Sequence, residues 1–196
     1  MDRVLSGGLA AQRPIVVAQR EVYSSEDLVR PVKKVLIHAR GCTAAKLIRI
    51  AQQQDIDVVL VQSDPDMESM AADQLREQDT LVCIGGNTPD ESYLNAKSVL
   101  NVAQMQGVDS LHPGIGFLSE NADFADMVRN RGINFVGPPV QSMETMGNKS
   151  NAINTSIRLN VPVVPGSHGI MTDVEKAAVV AKEIGYPILI KAVHGG

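Results

Sequence analysis

From Lys33 to Val136, short β-branched runs alternate with segments of helical period, and this alternation constrains the fold more than any other feature of the chain. Val35-Leu36-Ile37 and the run from Ile56 to Val61 are apolar stretches too short for helices and read as buried strands. Leu81-Val82-Cys83-Ile84, Ser110-Leu111-His112 and Asn134-Phe135-Val136 repeat the pattern. Between them, Ala44, Leu47, Ile48 and Ala51 fall at i, i+3, i+4, i+7, as do Ala96, Val99, Leu100 and Ala103. Ala122, Ala125 and Val128 form a third stripe, with Ser119 as the expected cap and Gly132 as its end. Gly107 closes the second stripe, and a further short helix is expected over Met67–Leu75, after the turn-prone Ser63-Asp64-Pro65-Asp66. Strands that are apolar throughout, each followed by a helix, call for a parallel sheet covered on both faces.

The flanks differ from this block. Residues 1–32 hold scattered apolar positions and read as a weakly structured extension, with a strand at most around Ile15-Val16-Val17-Ala18. Pro138-Pro139 opens another region, with helices expected over Val140–Met146 and Ser150–Leu159. Thr172-Asp173-Val174-Glu175 reads as a capping box, opening a helix with Ala177, Ala178, Ala181 and Ile184 inward. Gly185-Tyr186-Pro187 then turns the chain into a strand, Ile188-Leu189-Ile190-Lys191, that leads to Gly195-Gly196. The expected division is therefore 1–32, 33–138 and 139–196, the last part stopping inside a second domain.

Composition excludes several classes of function. With 44% hydrophobic and 20% charged residues the chain is of soluble globular type. No run approaches the ~18 apolar residues that span a bilayer, and the N-terminus lacks the apolar core of a secretory signal. A net charge of −4 and 3% aromatic residues leave neither a basic footprint nor a stacking surface for nucleic acid. Cys42 and Cys83 make no disulfide framework or metal motif and are expected in the core; His38 and His168 lack metal-ligand spacing. The expected setting is the cytosol, without a membrane or nucleic-acid partner.

Chemistry concentrates in His112-Pro113-Gly114-Ile115-Gly116-Phe117-Leu118-Ser119-Glu120-Asn121, a loop following a strand. His112 and Glu120 are open to acid–base roles, or to a turn hydrogen bond and a helix-dipole contact. Gly114-Ile115-Gly116 is no dinucleotide fingerprint, because Ser119 stands where a third glycine is required. Lys149 at a helix start and Lys191 at a strand end before Gly195-Gly196 suit phosphate oxygens, although on local grounds a solvated lysine is the commoner reading of each. No metal ligands stand out.

Taken in order, these segments resemble biotin carboxylase, the ATP-grasp component of biotin-dependent carboxylases. The resemblance runs through Ile37-His38-Ala39-Arg40-Gly41, His112–Asn121, Phe135-Val136-Gly137-Pro138, Met146-Gly147-Asn148-Lys149, Val163-Val164-Pro165-Gly166 and Gly185-Tyr186-Pro187 to Lys191. It implies a Rossmann-like α/β domain followed by the incomplete start of an ATP-grasp domain. It further implies ATP, Mg²⁺ and bicarbonate chemistry that carboxylates biotin on a carrier protein, with a separate carboxyltransferase component. By resemblance Lys149, Lys191, Gly195 and Gly196 serve ATP phosphates and a closing lid, while His112, Gly114, Ile115, Gly116 and Glu120 line the biotin side. The catalytic groups and Mg²⁺ ligands of such an enzyme are expected outside these 196 residues, leaving the chain inactive alone. The sequence departs from the family pattern at Ile115, usually Tyr, and at Ala39-Arg40-Gly41-Cys42-Thr43-Ala44, usually Asn-Arg-Gly-Glu-Ile-Ala. Lys46 and Gln53 also replace residues of the bacterial dimer contact, so a homo-oligomer would have to form differently. The alternatives are a non-catalytic interaction module on the same fold and another ATP-grasp ligase.

Overall fold

A computed structural model describes residues 31–190, apart from His168 and the side chain of Ser150. Five strands form a parallel sheet: β1 (Lys34–Ile37), β2 (Asp57–Gln62), β3 (Thr80–Cys83), β4 (Ser110–His112) and β5 (Asn134–Phe135). Their spatial order is β3-β2-β1-β4-β5. The helices are α1 (Gly41–Gln53), α2 (Ala96–Met105), α3 (Ala122–Arg129), α4 (Val140–Gly147), α5 (Lys149–Arg158) and α6 (Val174–Ile184).

The strand order fixes the layers. The chain steps outward from β1 to β3, then jumps back past β1 to β4 and β5. Right-handed crossovers in opposite directions put α1 on one face and α2 and α3 on the other. Alternation along each strand feeds two cores. Val35, Ile37, Val58 and Leu60 meet Ala44, Ile48 and Ala51 of α1. Leu36, Val59, Val61, Leu111 and Phe135 meet Val99, Leu100 and Ala103 of α2 and Phe124 and Val128 of α3. Leu36, Ile48, Leu60, Leu111 and Phe124 are each at most 1% exposed, and each such side chain contributes about 2 kcal/mol through burial.

Several expectations are corrected. Met67–Leu75 is a series of turns with a single 3₁₀ turn, Ala72–Gln74, rather than a helix. Only Ala71 is buried there while Met70 is 78% exposed, so no apolar stripe holds a helix, and the Ser69 hydroxyl accepts the Ala72 N–H locally. Cys42 and Cys83 are exposed rather than in the core, because they lie where α1 begins and β3 ends. Asn121, not Ser119, caps α3, its Oδ1 accepting the Phe124 N–H at 2.8 Å. Asp173, not Thr172, caps α6: its carboxylate takes the N–H groups of Glu175 and Lys176. On α6 only Ala181 is buried, while Ala178 and Ile184 are exposed. Ile188–Ile190 forms no strand, for these residues pair with no neighbouring strand among the described residues. The expectations for residues 1–30, His168, Lys191, Gly195 and Gly196 lie outside the described residues.

Candidate functional site

In a doubly wound sheet, ligands bind beyond the strand C-termini where the strand order reverses. Here that point lies between β1 and β4, which are neighbours in the sheet. β1 delivers His38-Ala39-Arg40 and β4 delivers the loop from Pro113 to Asn121. The two are tied together at once, because the His38 backbone N–H donates to the His112 carbonyl at 2.9 Å. The loop lies so close over this segment that only glycine fits at 114. A Cβ there would stand 2.7 Å from both the Ala39 Cβ and the His38 carbonyl oxygen, and φ is +67°.

The loop residues divide by environment. His112 is half-buried, and its Nδ1 accepts the Gly114 N–H at 3.1 Å. That bond puts the neutral ring's proton on Nε2, and burial lowers the imidazole pKa. Ile115 is 79% exposed at the tip, between Gly114 and Gly116, whose φ values are +67° and +77°. Phe117 has φ +46° and stacks on Tyr93, ring centroids 4.7 Å apart. Leu118 is buried, and Glu120 is exposed beyond it. No hydrogen bond or ion pair joins His112 to Glu120 among the described residues. The His112 Nδ1 thus makes a hydrogen bond within its own turn.

Beneath the loop lies a network that the sequence reading passed over. His38 is fully buried, with Nε2 2.9 Å from the Tyr93 carbonyl oxygen and its ring against Phe117, Phe124 and Tyr93. Burial lowers its pKa to about 4, against a smaller upward pull from the Tyr93 carbonyl, so the ring is neutral at pH 7. The Tyr93 hydroxyl donates to Asp66 at 2.8 Å and accepts the Ser63 N–H at 3.1 Å. Burial pushes that phenol up to about 12. Arg40 reaches Asp66 at 3.4 Å and lies 5.9 Å from the Tyr93 ring centre. Gln62, buried, donates to the Ala39 carbonyl at 2.8 Å. The one legible signal was scarcity: among only three Tyr and three Phe, Tyr93, Phe117, Phe124 and Phe135 gather here around His38 and one another.

Lys149 is the first residue of α5 and is exposed; Asn148 accepts the Asn151 N–H at 3.1 Å and so caps this helix. A helix start bearing a cation suits an anionic group. Among the described residues no group of three or more His, Cys, Asp and Glu side chains gathers around a metal-sized space, and no helix is long and apolar enough to cross a membrane.

Comparison with known proteins agrees with the architecture. Residues 31–143 match the family described as "Biotin carboxylase, N-terminal domain", and residues 148–196 match "Carbamoyl-phosphate synthase L chain, ATP binding domain". Biotin carboxylase 1 of Bacillus subtilis is 42% identical over 165 residues, 84% of this chain and 36% of the relative. The chloroplastic biotin carboxylase of Arabidopsis thaliana is 44% identical over 163 residues, 83% of this chain and 30% of the relative. The chain thus spans about a third of the length of the curated relatives it matches. Among solved structures, the biotin carboxylase domain dimer of Hydrogenobacter thermophilus 2-oxoglutarate carboxylase, in complex with MgADP, ADP and bicarbonate, superposes with a TM-score of 0.77. It is 39% identical, over 86% of this chain and 36% of that one. A Campylobacter jejuni biotin carboxylase in complex with β,γ-ATP gives 0.77 at 37% identity, over 85% and 36%. With its sheet order, its switch-point loop and more than half of its residues matched by one family, this chain belongs to the biotin carboxylase N-terminal domain family.

Proposed function

We propose that this chain is the N-terminal part of an ATP-dependent biotin carboxylase, in which ATP, Mg²⁺ and bicarbonate carboxylate biotin on a carrier protein. The supporting observation is the glycine loop 113–121 held over His38 and Ala39 at the sheet's switch point. On this reading His112, Gly114, Ile115, Gly116 and Glu120 form the biotin-side wall. Lys149 at the start of α5, with Lys191, Gly195 and Gly196, serves the ATP phosphates; its exposed cationic side chain fits that role. ATP supplies the activated phosphoryl group when bound. The part of this chain's own residues is to orient it and to wall off biotin.

The same proposal divides the chain into an extension at 1–32, the α/β domain at 33–138 and the start of an ATP-grasp domain at 139–196. It includes a cytosolic setting, a carboxyltransferase component as partner and a homo-oligomeric assembly. The 196 residues alone are inactive on this reading, because the Mg²⁺ ligands and bicarbonate groups belong to the two thirds of the relatives outside the match. A chimera tests it: residues 31–196 replace the matched stretch of the Bacillus subtilis relative. ATP hydrolysis that depends on both bicarbonate and biotin is expected. In that chimera Lys149→Ala raises the KM for ATP about tenfold, the loss of one charge-assisted contact. A folded chimera without biotin-dependent turnover moves the assignment to a non-catalytic interaction module, the reading favoured by the exposed apolar side chain of Ile115.

A further inference from the structure

Phe117 stands in a backbone conformation that its side chain disfavours. Its φ is +46° and follows +77° at Gly116, so two consecutive residues turn left-handed. Glycine takes that conformation freely, whereas a residue with a Cβ does so at a cost. Contacts of the phenyl ring offset that cost. The ring stacks on Tyr93, with centroids 4.7 Å apart and planes 18° from parallel, and its centroid lies 6.0 Å from that of His38. Tyr93 is itself fixed at three points. Its hydroxyl donates to Asp66 at 2.8 Å and accepts the Ser63 N–H at 3.1 Å, and its carbonyl oxygen lies 2.9 Å from the His38 Nε2. The loop tip beside this stack has little hold of its own. Ile115 is exposed, and at Gly116 even an added Cβ would meet nothing within 4 Å. The tip is therefore held from its two ends, by the close approach of Gly114 to Ala39 and by the Phe117 ring on Tyr93.

We propose that Tyr93 is a positioning residue for the biotin-side wall, acting through the Phe117 ring to hold Ile115 and Gly116 in one place; the proposal rests on the functional reading above. Tyr93 is 1% exposed, so it has no surface of its own to offer a ligand and acts only through what it carries. A contact serving stability alone has no need of a left-handed phenylalanine. Such residues persist where the surrounding structure over-determines them, and they cluster at ligand sites. Without the ring, the backbone at 116 and 117 regains other conformations and the tip samples several positions. Binding at the wall then has to order the loop as well, which weakens affinity there. ATP is affected differently, because Lys149 lies on α5, a separate element that follows α4.

The test uses Phe117→Gly, which relieves the left-handed backbone while deleting the ring, and Phe117→Tyr, which keeps the ring. Phe117 is only partly buried, and both variants leave the Tyr93 hydrogen bonds in place. In the chimera described above, Phe117→Gly raises the KM for biotin about tenfold with the KM for ATP unchanged, while Phe117→Tyr stays within about twofold. Tyr93→Leu combined with Phe117→Gly is no worse than the more severe single change, since both remove the same stack. An unchanged biotin KM in Phe117→Gly, an equal rise in both KM values, or additive effects of the two substitutions overturn the proposal. A second measurement needs no turnover. In the full 196-residue chain, Phe117→Gly speeds hydrogen exchange at the Ser119 N–H, which donates to the Gly116 carbonyl, by about tenfold or more. The Val99 N–H at the start of α2, bonded to the Asn95 carbonyl, exchanges as before. No change at Ser119, or equal acceleration at both amides, overturns the proposal. A wild-type chimera without biotin-dependent turnover ends the functional reading, whereas the exchange rates report on the Tyr93–Phe117 hold by itself, so the two failures are distinct.

Discussion

Gly114 and Gly116 both adopt positive φ, yet they differ in what a side chain would meet. At 116 a Cβ finds open space, so Gly116→Ala costs only the backbone term, about 1 kcal/mol. At 114 it strikes Ala39 and the His38 carbonyl, so Gly114→Ala costs about 2 kcal/mol more; urea midpoints at constant m-value measure the difference. His38 sets a pH dependence. Its folded pKa of about 4 lies below the usual 6.5, so the unfolded chain binds the extra proton. Stability is therefore complete above pH 6.5 and falls as pH drops from 6.5 toward 4, by at most on the order of 3 kcal/mol. His112, shifted the same way, adds to that slope. Unfolding free energies across this window check the sign, and His38→Asn flattens the curve. Ile115→Tyr leaves stability within about 0.5 kcal/mol, since the side chain is 79% exposed, and in the chimera lowers the KM for biotin by roughly threefold.

At the level of elements, caps and buried carboxylates carry the register. Asn121→Ala removes the α3 cap and costs about 1 kcal/mol, while Ser119→Ala stays within about 0.5 kcal/mol; thermal unfolding of the pair separates the two candidate helix starts. Asp79, with its side chain enclosed, fastens α1, β2 and β3 together. Its carboxylate accepts from the Val58 and Arg76 N–H groups, the Gln52 amide and the Arg76 guanidinium. Burial alone would raise its pKa, but these donors outweigh burial and hold it at about 2. Its contribution is thus present above pH 3.8 and is lost as pH falls toward 2. Asp79→Ala orphans the buried Val58 N–H at the start of β2 and costs about 3 kcal/mol, measured by chemical denaturation.

Across the whole molecule, legibility follows from what is local. Five strands, and the helices from α1 through α6, were readable because residues such as Val35, Ile37, Ile48 or Leu100 declare burial through their spacing, and period needs no knowledge of neighbours. Met67–Leu75 misled because its apolar residues had helical composition but found no surface to pack on. The cysteines misled because apolar flanks do not tell which residue stands at an element's end. The decapeptide could be singled out from its glycines and proline alone. Its support could not: His38, Asp66, Tyr93 and Phe117 are separated by up to 79 positions and meet only because β1 and β4 are neighbours. The sequence by itself determined the α/β class, the parallel sheet and the family, since each is written in periodicity and in contiguous motifs. Only the tertiary structure decided that a buried neutral His38 underlies the loop, and that Asp66, Tyr93 and Phe117 gather around that segment. These are consequences of strand order and crossover handedness, which bring distant residues together or keep adjacent ones apart.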